Sequence, residues 1–237
     1  MSTSPTSAPS ADLSYRLWMR GLRGLGSVLL NLGYRLEIEG AEHVPAQGGV
    51  LVVSNHVSFH DWLFVGVALA RPPRFVMHQH HFQYPALRAF FGQSRVIPIA
   101  PRKEDAAALE RALEAIDRAL ADGELVVIFP EGTMSPDGAL SPFRPGFERI
   151  VSRRPVPVVP IGISGLFGSF FSRAHGAPMS GWPRRFRARV TVRIGRPIPP
   201  AQADLATVRA QIERLLGLVR ETASAPQRAV AAAAAPG

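Results

Sequence analysis

Residues 104–133 read EDAAALERALEAIDRALADGELVVIFPEGT, and this one stretch sets the architecture. Leu109, Leu113, Ile116 and Leu120 recur at three- and four-residue intervals, which predicts a helix over Glu104–Asp122 with one apolar face. Gly123 closes it, because glycine takes the left-handed conformation that helix ends favour. Glu124–Phe129 follows as a buried strand, and Pro130 stops it. A helix delivered straight into an apolar strand is one repeat of an α/β sheet.

The alternation extends in both directions. Upstream, Tyr34–Gly40 sets Tyr34, Leu36 and Ile38 against Arg35, Glu37 and Glu39, the period of a half-buried strand. Val50–Ser54 reads as a short buried strand and Asp61–Ala70 as a helix ended by Pro72 and Pro73. Arg74–Met77 and Arg95–Ile99 read as extended, with a helix over Tyr84–Phe91 between them. Downstream, Val156–Ile163 is a strand that Pro157 and Pro160 push toward a sheet edge or a bulge. Phe186–Ile194 alternates an apolar face with a basic one carrying Arg187, Arg189 and Arg193, and a last helix is expected over Ala201–Thr222. No repeat or linker divides the chain. The expected fold is a single α/β domain over residues 34–222, a mixed central sheet flanked by helices.

Residues 12–33 are expected to form an amphipathic, membrane-associating helical segment. Leu13, Leu17, Leu25, Leu29 and Leu32 fall near one stripe, while Arg16, Arg20 and Arg23 gather on another, as in a helix lying at a bilayer surface. Docking on its own domain fits the same pattern. The arginines keep its uncharged runs below the roughly 20 residues that a span requires. The Ser/Thr/Pro-rich residues 1–11 and the Ala/Pro-rich residues 223–237 are expected to be disordered tails. The chain opens without the basic and apolar regions of a secretory signal, so the expected location is the cytoplasmic face of a membrane, peripheral or monotopic.

Composition narrows the chemistry. The chain has no cysteine, which excludes disulfides, thiolate nucleophiles and iron–sulfur clusters held by its own thiols. Lys+Arg number 27 against 18 Asp+Glu, a formal net charge of +9, and Lys103 is the only lysine. Such a charge suits an anionic membrane surface or nucleic acid; an arginine bias of this kind arises equally from codon composition.

Two segments carry candidate chemistry. Ser54-Asn55-His56-Val57-Ser58-Phe59-His60-Asp61-Trp62 joins a strand to a helix, where loops place catalytic groups. His56 and Asp61 are five residues apart, so on one continuous helix they would point about 140° apart. If the helix starts at Ser58, Ser58-x-x-Asp61 forms a capping box and the loop carrying His56 folds back over the first turn. Asp61 then accepts from Nδ1–H of His56 and leaves Nε2 to take a proton from an alcohol. The plainer alternative is a capping acid beside an idle loop histidine. In the second segment, Phe129-Pro130-Glu131-Gly132-Thr133, a glycine turn lets backbone N–H groups approach an anion. On its own that is an ordinary strand exit.

Taken together, Asn-His-x-x-x-x-Asp followed by Phe-Pro-Glu-Gly-Thr resembles the glycerolipid and lysophospholipid acyltransferase family. Phe143-Arg144-Pro145-Gly146 and Val156-Pro157-Val158-Val159-Pro160-Ile161 resemble its later blocks, and coverage runs from about Leu36 to Pro200. The resemblance implies His56 as general base and Asp61 as its partner. It implies Asn55, Glu131, Gly132 and Thr133 at the substrate, Asn55 also supporting the His56 loop, and Arg102, with Arg95 as a looser candidate, at the acceptor phosphate. It further implies an acyl-CoA or acyl-carrier-protein thioester as co-substrate, a glycerolipid acceptor at a phospholipid membrane surface, and no metal, no other cofactor and no nucleic-acid partner. Met134 stands where many members that use glycerol phosphates carry arginine. Gly165–Arg173 resembles the members that reacylate lysophospholipids, so the expected acceptor is a lysophospholipid, which this segment favours, or 1-acyl-glycerol-3-phosphate.

Other readings stay in play. The His78-Gln79-His80-His81 run lacks a nearby carboxylate and a zinc spacing, which points to a loop. His60 competes with His56 as base. A thioesterase, in which His56 activates water, and a non-catalytic basic membrane-binding protein are the alternatives to acyl transfer.

Overall fold

Val50–Ser54, strand β2, is buried at every residue because it runs through the middle of a sheet covered on both sides. The computed structural model describes residues 9–174, 176, 178 and 187–218. Its other strands are β1 (Tyr34–Glu39), β3 (Pro73–His78), β4 (Ile97–Ile99), β5 (Leu125–Ile128), β6 (Val158–Ser164) and β7 (Ala188–Ile194). They form one seven-stranded sheet in the order β1-β7-β6-β2-β5-β3-β4. Strands β2 to β6 are parallel, β7 runs antiparallel to β6, and β1 is parallel to β7, so the sheet is mixed.

Side chains alternate across the sheet and build two cores. Val50 and Val52 pack with Phe64, Phe91 and Leu30 beneath α1 (Pro9–Gly33), α2 (Asp61–Ala68) and α3 (Pro85–Gln93). Leu51 and Val53 pack with Ile116, Phe147 and Val208 beneath α4 (Ala106–Ala121), α5 (Gly146–Arg153) and α6 (Leu205–Leu215). In α4 the apolar stripe of the sequence is the buried face, the Asp105 carboxylate caps the start by accepting from Ala108 N–H at 2.8 Å, and Gly123 ends it at φ +78°.

The structure corrects several expectations. β6 is internal, between β7 and β2, rather than at an edge. Its Pro160 carbonyl accepts from Gly195 N–H at 2.8 Å, so the missing proline N–H also faces β7, one residue before their pairing starts at Ile161. The lost donor falls at the end of that ladder, where it costs little. Helix α5 has no counterpart in the sequence reading, since its eight residues bury only Phe147 and Ile150 and show no sustained period. The last helix starts later, after Asp204 accepts from Thr207 N–H at 2.7 Å. It stops at Leu215 because Gly217 turns left-handed at φ +74°. The basic face of β7 is balanced by its neighbour: Arg189 lies 3.3 Å from Glu37, and Arg193 lies 2.9 Å from Glu39 of β1.

Helix α1 begins at Pro9, three residues inside the segment expected to be disordered, and covers the span read as an amphipathic helix. Leu13, Leu17, Leu25, Leu29 and Leu32 are all more than half exposed on its outer side, while Tyr15 and Leu30 are buried. No helix among the described residues is long and apolar enough to cross a membrane. Residues 1–8, Phe186, and everything after residue 218, including the expected tail at 223–237, lie outside the described residues.

Candidate active site

The chain leaves β2 and β5 in opposite directions across the sheet, so the carboxyl ends of these adjacent strands flank a crevice where α/β sheets place ligands. His56 follows β2 and Glu131 follows β5. Asn55 ties the first loop down: its side-chain amide donates to the Ile163 carbonyl at 3.0 Å and accepts from Ile163 N–H at 2.7 Å. Both groups of that amide are directed at β6, so Asn55 supports the loop and is not turned to a substrate.

His56 is held on every side. Its backbone N–H donates to Glu131 Oε1 at 2.7 Å, and its carbonyl accepts from Ser135 N–H at 2.8 Å. Its ring stacks on Phe129, with centroids 4.6 Å apart and planes inclined by 27°. Its Nδ1 lies 2.8 Å from Asp61 Oδ2. The carboxylate accepts, so the hydrogen-bond network assigns the proton to Nδ1 and leaves Nε2 unprotonated. The side chain keeps 23% of its surface accessible, whereas that of Asp61 is fully buried.

Half of the capping box expected with Ser58 forms: the Asp61 carboxylate accepts from Ser58 N–H, while Ser58 Oγ accepts from His60 N–H at 3.4 Å instead of from Asp61 N–H. Asp61 is the first residue of α2, after His60, and its Oδ2 turns back to accept from Val57 N–H at 2.6 Å and Ser58 N–H at 2.9 Å as well as from the imidazole. A loop that presents two amides and a ring nitrogen to one oxygen holds that oxygen more firmly than a single cap would. The backbone amides of both turns are thereby occupied: those of Val57 and Ser58 go to Asp61, and Gly132 N–H donates to the Phe129 carbonyl at 3.0 Å.

Glu131 is buried, and both of its oxygens meet backbone amides, from His56 and, at 2.8 Å, from Ser141. Burial pushes its carboxyl above the ordinary glutamate range, and the two amides pull it back. Its visible task is to brace the histidine loop. Gly132 sits at φ +68°, and a Cβ there would lie 2.5 Å from Arg144 Nε. Arg144 Nε itself donates to the Glu131 carbonyl at 3.1 Å. A guanidinium therefore covers the Gly132 turn, close in sequence to Met134. The sequence signal for it was the basic position in Phe143–Gly146, whose role the motif alone did not disclose. Ser135 is a second residue that the sequence did not single out: it is buried, its Oγ donates to Asp137 at 3.0 Å, and its amide fixes the His56 carbonyl.

Thr133 is exposed beside this turn, and Arg102 is exposed just after β4, at the same carboxyl edge of the sheet. Arg95 is elsewhere. It lies 3.5 Å from Glu124, ahead of β5, with its guanidinium 4.1 Å from the Tyr15 ring centre, which places it at the opposite edge. His60 packs edge-on against Phe171 at 3.6 Å between ring centres, and burial lowers its pKa. Phe59 N–H donates to the Phe171 carbonyl at 3.0 Å, so the segment after β6 closes over the histidine loop. His78 does have a nearby carboxylate, Glu104 at 3.1 Å, contrary to the sequence reading. Among the described residues, no three histidine, aspartate or glutamate side chains come together to hold a metal ion.

The chloroplastic 1-acyl-sn-glycerol-3-phosphate acyltransferase BAT2 of Brassica napus is 32% identical over 176 residues, 73% of this chain and 47% of that protein. The 1-acyl-sn-glycerol-3-phosphate acyltransferase alpha of Mus musculus is 29% identical over 175 residues, 73% of this chain and 56% of that protein. The chain thus spans about half the length of the curated relatives it matches. The crystal structure of the 1-acyl-sn-glycerophosphate acyltransferase PlsC from Thermotoga maritima superposes with a TM-score of 0.69 at 21% identity, over 90% of this chain and 85% of that one, and so shares the fold. The sequence profile of the Acyltransferase family matches residues 35–164, from β1 through the end of β6 and across both candidate segments. With more than half of its length matched by that profile, the chain belongs to the acyltransferase family.

Proposed function

We propose that the chain is an O-acyltransferase that moves a fatty acyl group from a thioester, carried by coenzyme A or an acyl carrier protein, to the free hydroxyl of 1-acyl-sn-glycerol-3-phosphate. The observation that carries this reading is the 2.8 Å pair of His56 Nδ1 and Asp61 Oδ2, on a ring that keeps 23% of its surface accessible. In this mechanism Nε2 takes the hydroxyl proton as the acceptor oxygen bonds to the thioester carbon. The tetrahedral adduct then collapses, the carbon–sulfur bond breaks, and the imidazolium returns the proton to the departing sulfur. Asp61 steadies the imidazolium and Asn55 and Glu131 keep the ring on target; no acyl-enzyme is required.

Of the two expected acceptors this reading takes 1-acyl-sn-glycerol-3-phosphate over the lysophospholipid suggested by Gly165–Arg173. The relatives described above act by name on 1-acyl-sn-glycerol-3-phosphate, and Arg144 over Gly132 offers a cation for a phosphate at a turn that Met134 leaves without one. Arg102 is a second candidate for that phosphate, with Gly132 and Thr133 beside the glycerol. The exposed leucines of α1 support attachment to the cytoplasmic face of a bilayer without crossing it. The neutralised face of β7 argues against nucleic acid. Incubation with an acyl thioester, with and without 1-acyl-sn-glycerol-3-phosphate, tests the proposal by thiol released and diacyl lipid formed. Acceptor-dependent diacyl product is expected; thiol release that ignores the acceptor makes the chain a thioesterase, and no release makes it non-catalytic.

A further inference from the structure

A cavity of about 1080 Å³ lies beneath α1, on the sheet face away from α4 to α6. It falls at the upper end of the volumes typical of small-molecule sites. Its inner wall is aromatic, with Trp62 and Gly66 from α2, Phe75 from β3, and Phe90 and Phe91 from α3. Its rim is cationic: five arginines, including Arg16, Arg20 and Arg23 of α1, border it against two acids, Asp122 and Glu124. Glu124 is already matched, by Arg74 at 2.9 Å and Arg95 at 3.5 Å. The charge excess therefore lies along α1, where Arg23 Nε donates to the Val67 carbonyl at 3.0 Å and so sits over α2 at the rim. None of His56, Phe129, Glu131 or Arg144 contributes to the walls.

An aromatic interior under a row of guanidinium groups is complementary to one kind of molecule, an amphiphile with an apolar tail and an anionic head. We propose that this cavity binds an anionic phospholipid drawn from the bilayer, its acyl tail between Trp62, Phe75 and Phe90 and its phosphate at Arg20 and Arg23. The row of exposed leucines on the same helix places the rim at the level where such headgroups lie. The site goes beyond acyl transfer and is tested without it.

Trp62 lines the cavity, so a lipid with dibrominated acyl chains quenches its fluorescence on entering. The full chain carrying Trp18→Phe and Trp182→Phe, because the Trp18 ring lies 6.1 Å from Phe90 and would respond as well, is titrated in detergent micelles with dibrominated phosphatidylglycerol and, in parallel, with dibrominated phosphatidylcholine. Quenching that saturates with the anionic lipid, is lost in Trp62→Phe and is several-fold weaker with the zwitterionic lipid is expected. Gly66→Leu puts apolar atoms into the cavity from its wall, where a Cβ meets nothing closer than the Phe75 ring at 3.7 Å. It should weaken binding by on the order of tenfold. Arg20→Glu with Arg23→Glu, both at the surface, should erase the preference for the anionic lipid, and this arm stands even if Gly66→Leu does not fold. Equal quenching by both lipids overturns the proposal, as does binding untouched by Gly66→Leu in a folded protein. A Gly66→Leu enzyme whose lipid binding is unchanged while its KM for the acyl thioester rises assigns the cavity to the acyl donor instead.

Discussion

The two ends of helix α2 border opposite kinds of environment. At its start, Asp61 has no accessible surface, and the loop it anchors is pinned by Asn55 to β6 and by Glu131 and Ser135 through the backbone of His56. Along its body, Leu63 and Gly66 face a cavity large enough for a lipid tail, under a helix whose outer leucines lie exposed. Proton transfer tolerates little play between base and hydroxyl, so the chemical end is built from short hydrogen bonds. Apolar chains of varying length need space and are recognised by area, so the other end is left open.

His56→Ala attacks the rigid end directly and should lower acyl transfer by roughly 10²–10⁴ while the melting temperature holds, because the ring is partly accessible and its loop is pinned through the backbone. Retained turnover would remove the imidazole from the reaction. Asp61→Ala should cost a comparable factor in rate and also destabilise the fold by about 1–3 kcal/mol, since the buried Val57 and Ser58 amides lose their acceptor. Rate loss without any shift in the denaturation midpoint would show that the amides find other partners. Gly132→Ala forces a side chain into the left-handed region, a cost of about 1–2 kcal/mol, and displaces Arg144. A lower melting temperature and a raised KM for the phosphate acceptor are expected, and a KM equal to wild type would release Arg144 from acceptor binding.

The smallest effect is titrational. Burial lowers the His60 pKa from its ordinary 6.5, and His81 is lowered by burial and then by its histidine neighbours. The unfolded chain therefore takes up protons first as pH falls below about 6.5, so stability is full above that value and declines beneath it. His60→Gln should flatten the decline in melting temperature between neutral and mildly acidic pH. An unchanged slope would assign the acid sensitivity to other groups.

How much of this was readable from the chain follows from how local each signal is. The pattern of α4, the run of β5 and the Gly123 stop are decided within a few residues, and they appear as read. The approach of His56 to Asp61 was legible too, as a loop folding onto a helix start, and the Ser58-x-x-Asp61 spacing pointed to the Ser58 amide; that the Val57 amide would join it on the same oxygen is written in no spacing rule. Pro160 misled because the cost of a proline depends on which neighbour its missing N–H would have faced, and that neighbour lies beyond residue 187. Asn55 was read as support for the histidine loop without its partner, and Glu131 was assigned to substrate alone, because the partners of both are remote. Ile163 is 108 residues from Asn55, and His56 is 75 from Glu131. Helix α5 was too short to announce itself.

The pairing of β1 with β7, Tyr34 against Ala188 through Glu39 against Arg193, joins the first strand to the last. During synthesis β1 has no ladder to join until nearly the whole domain has left the ribosome, and α1, which packs on β1 as well as on α2, has only part of its final support until then. Through that interval an apolar helix with an arginine row is the most adhesive part of the nascent chain. A lipid surface close to the translating ribosome would give it somewhere to rest before the sheet is finished.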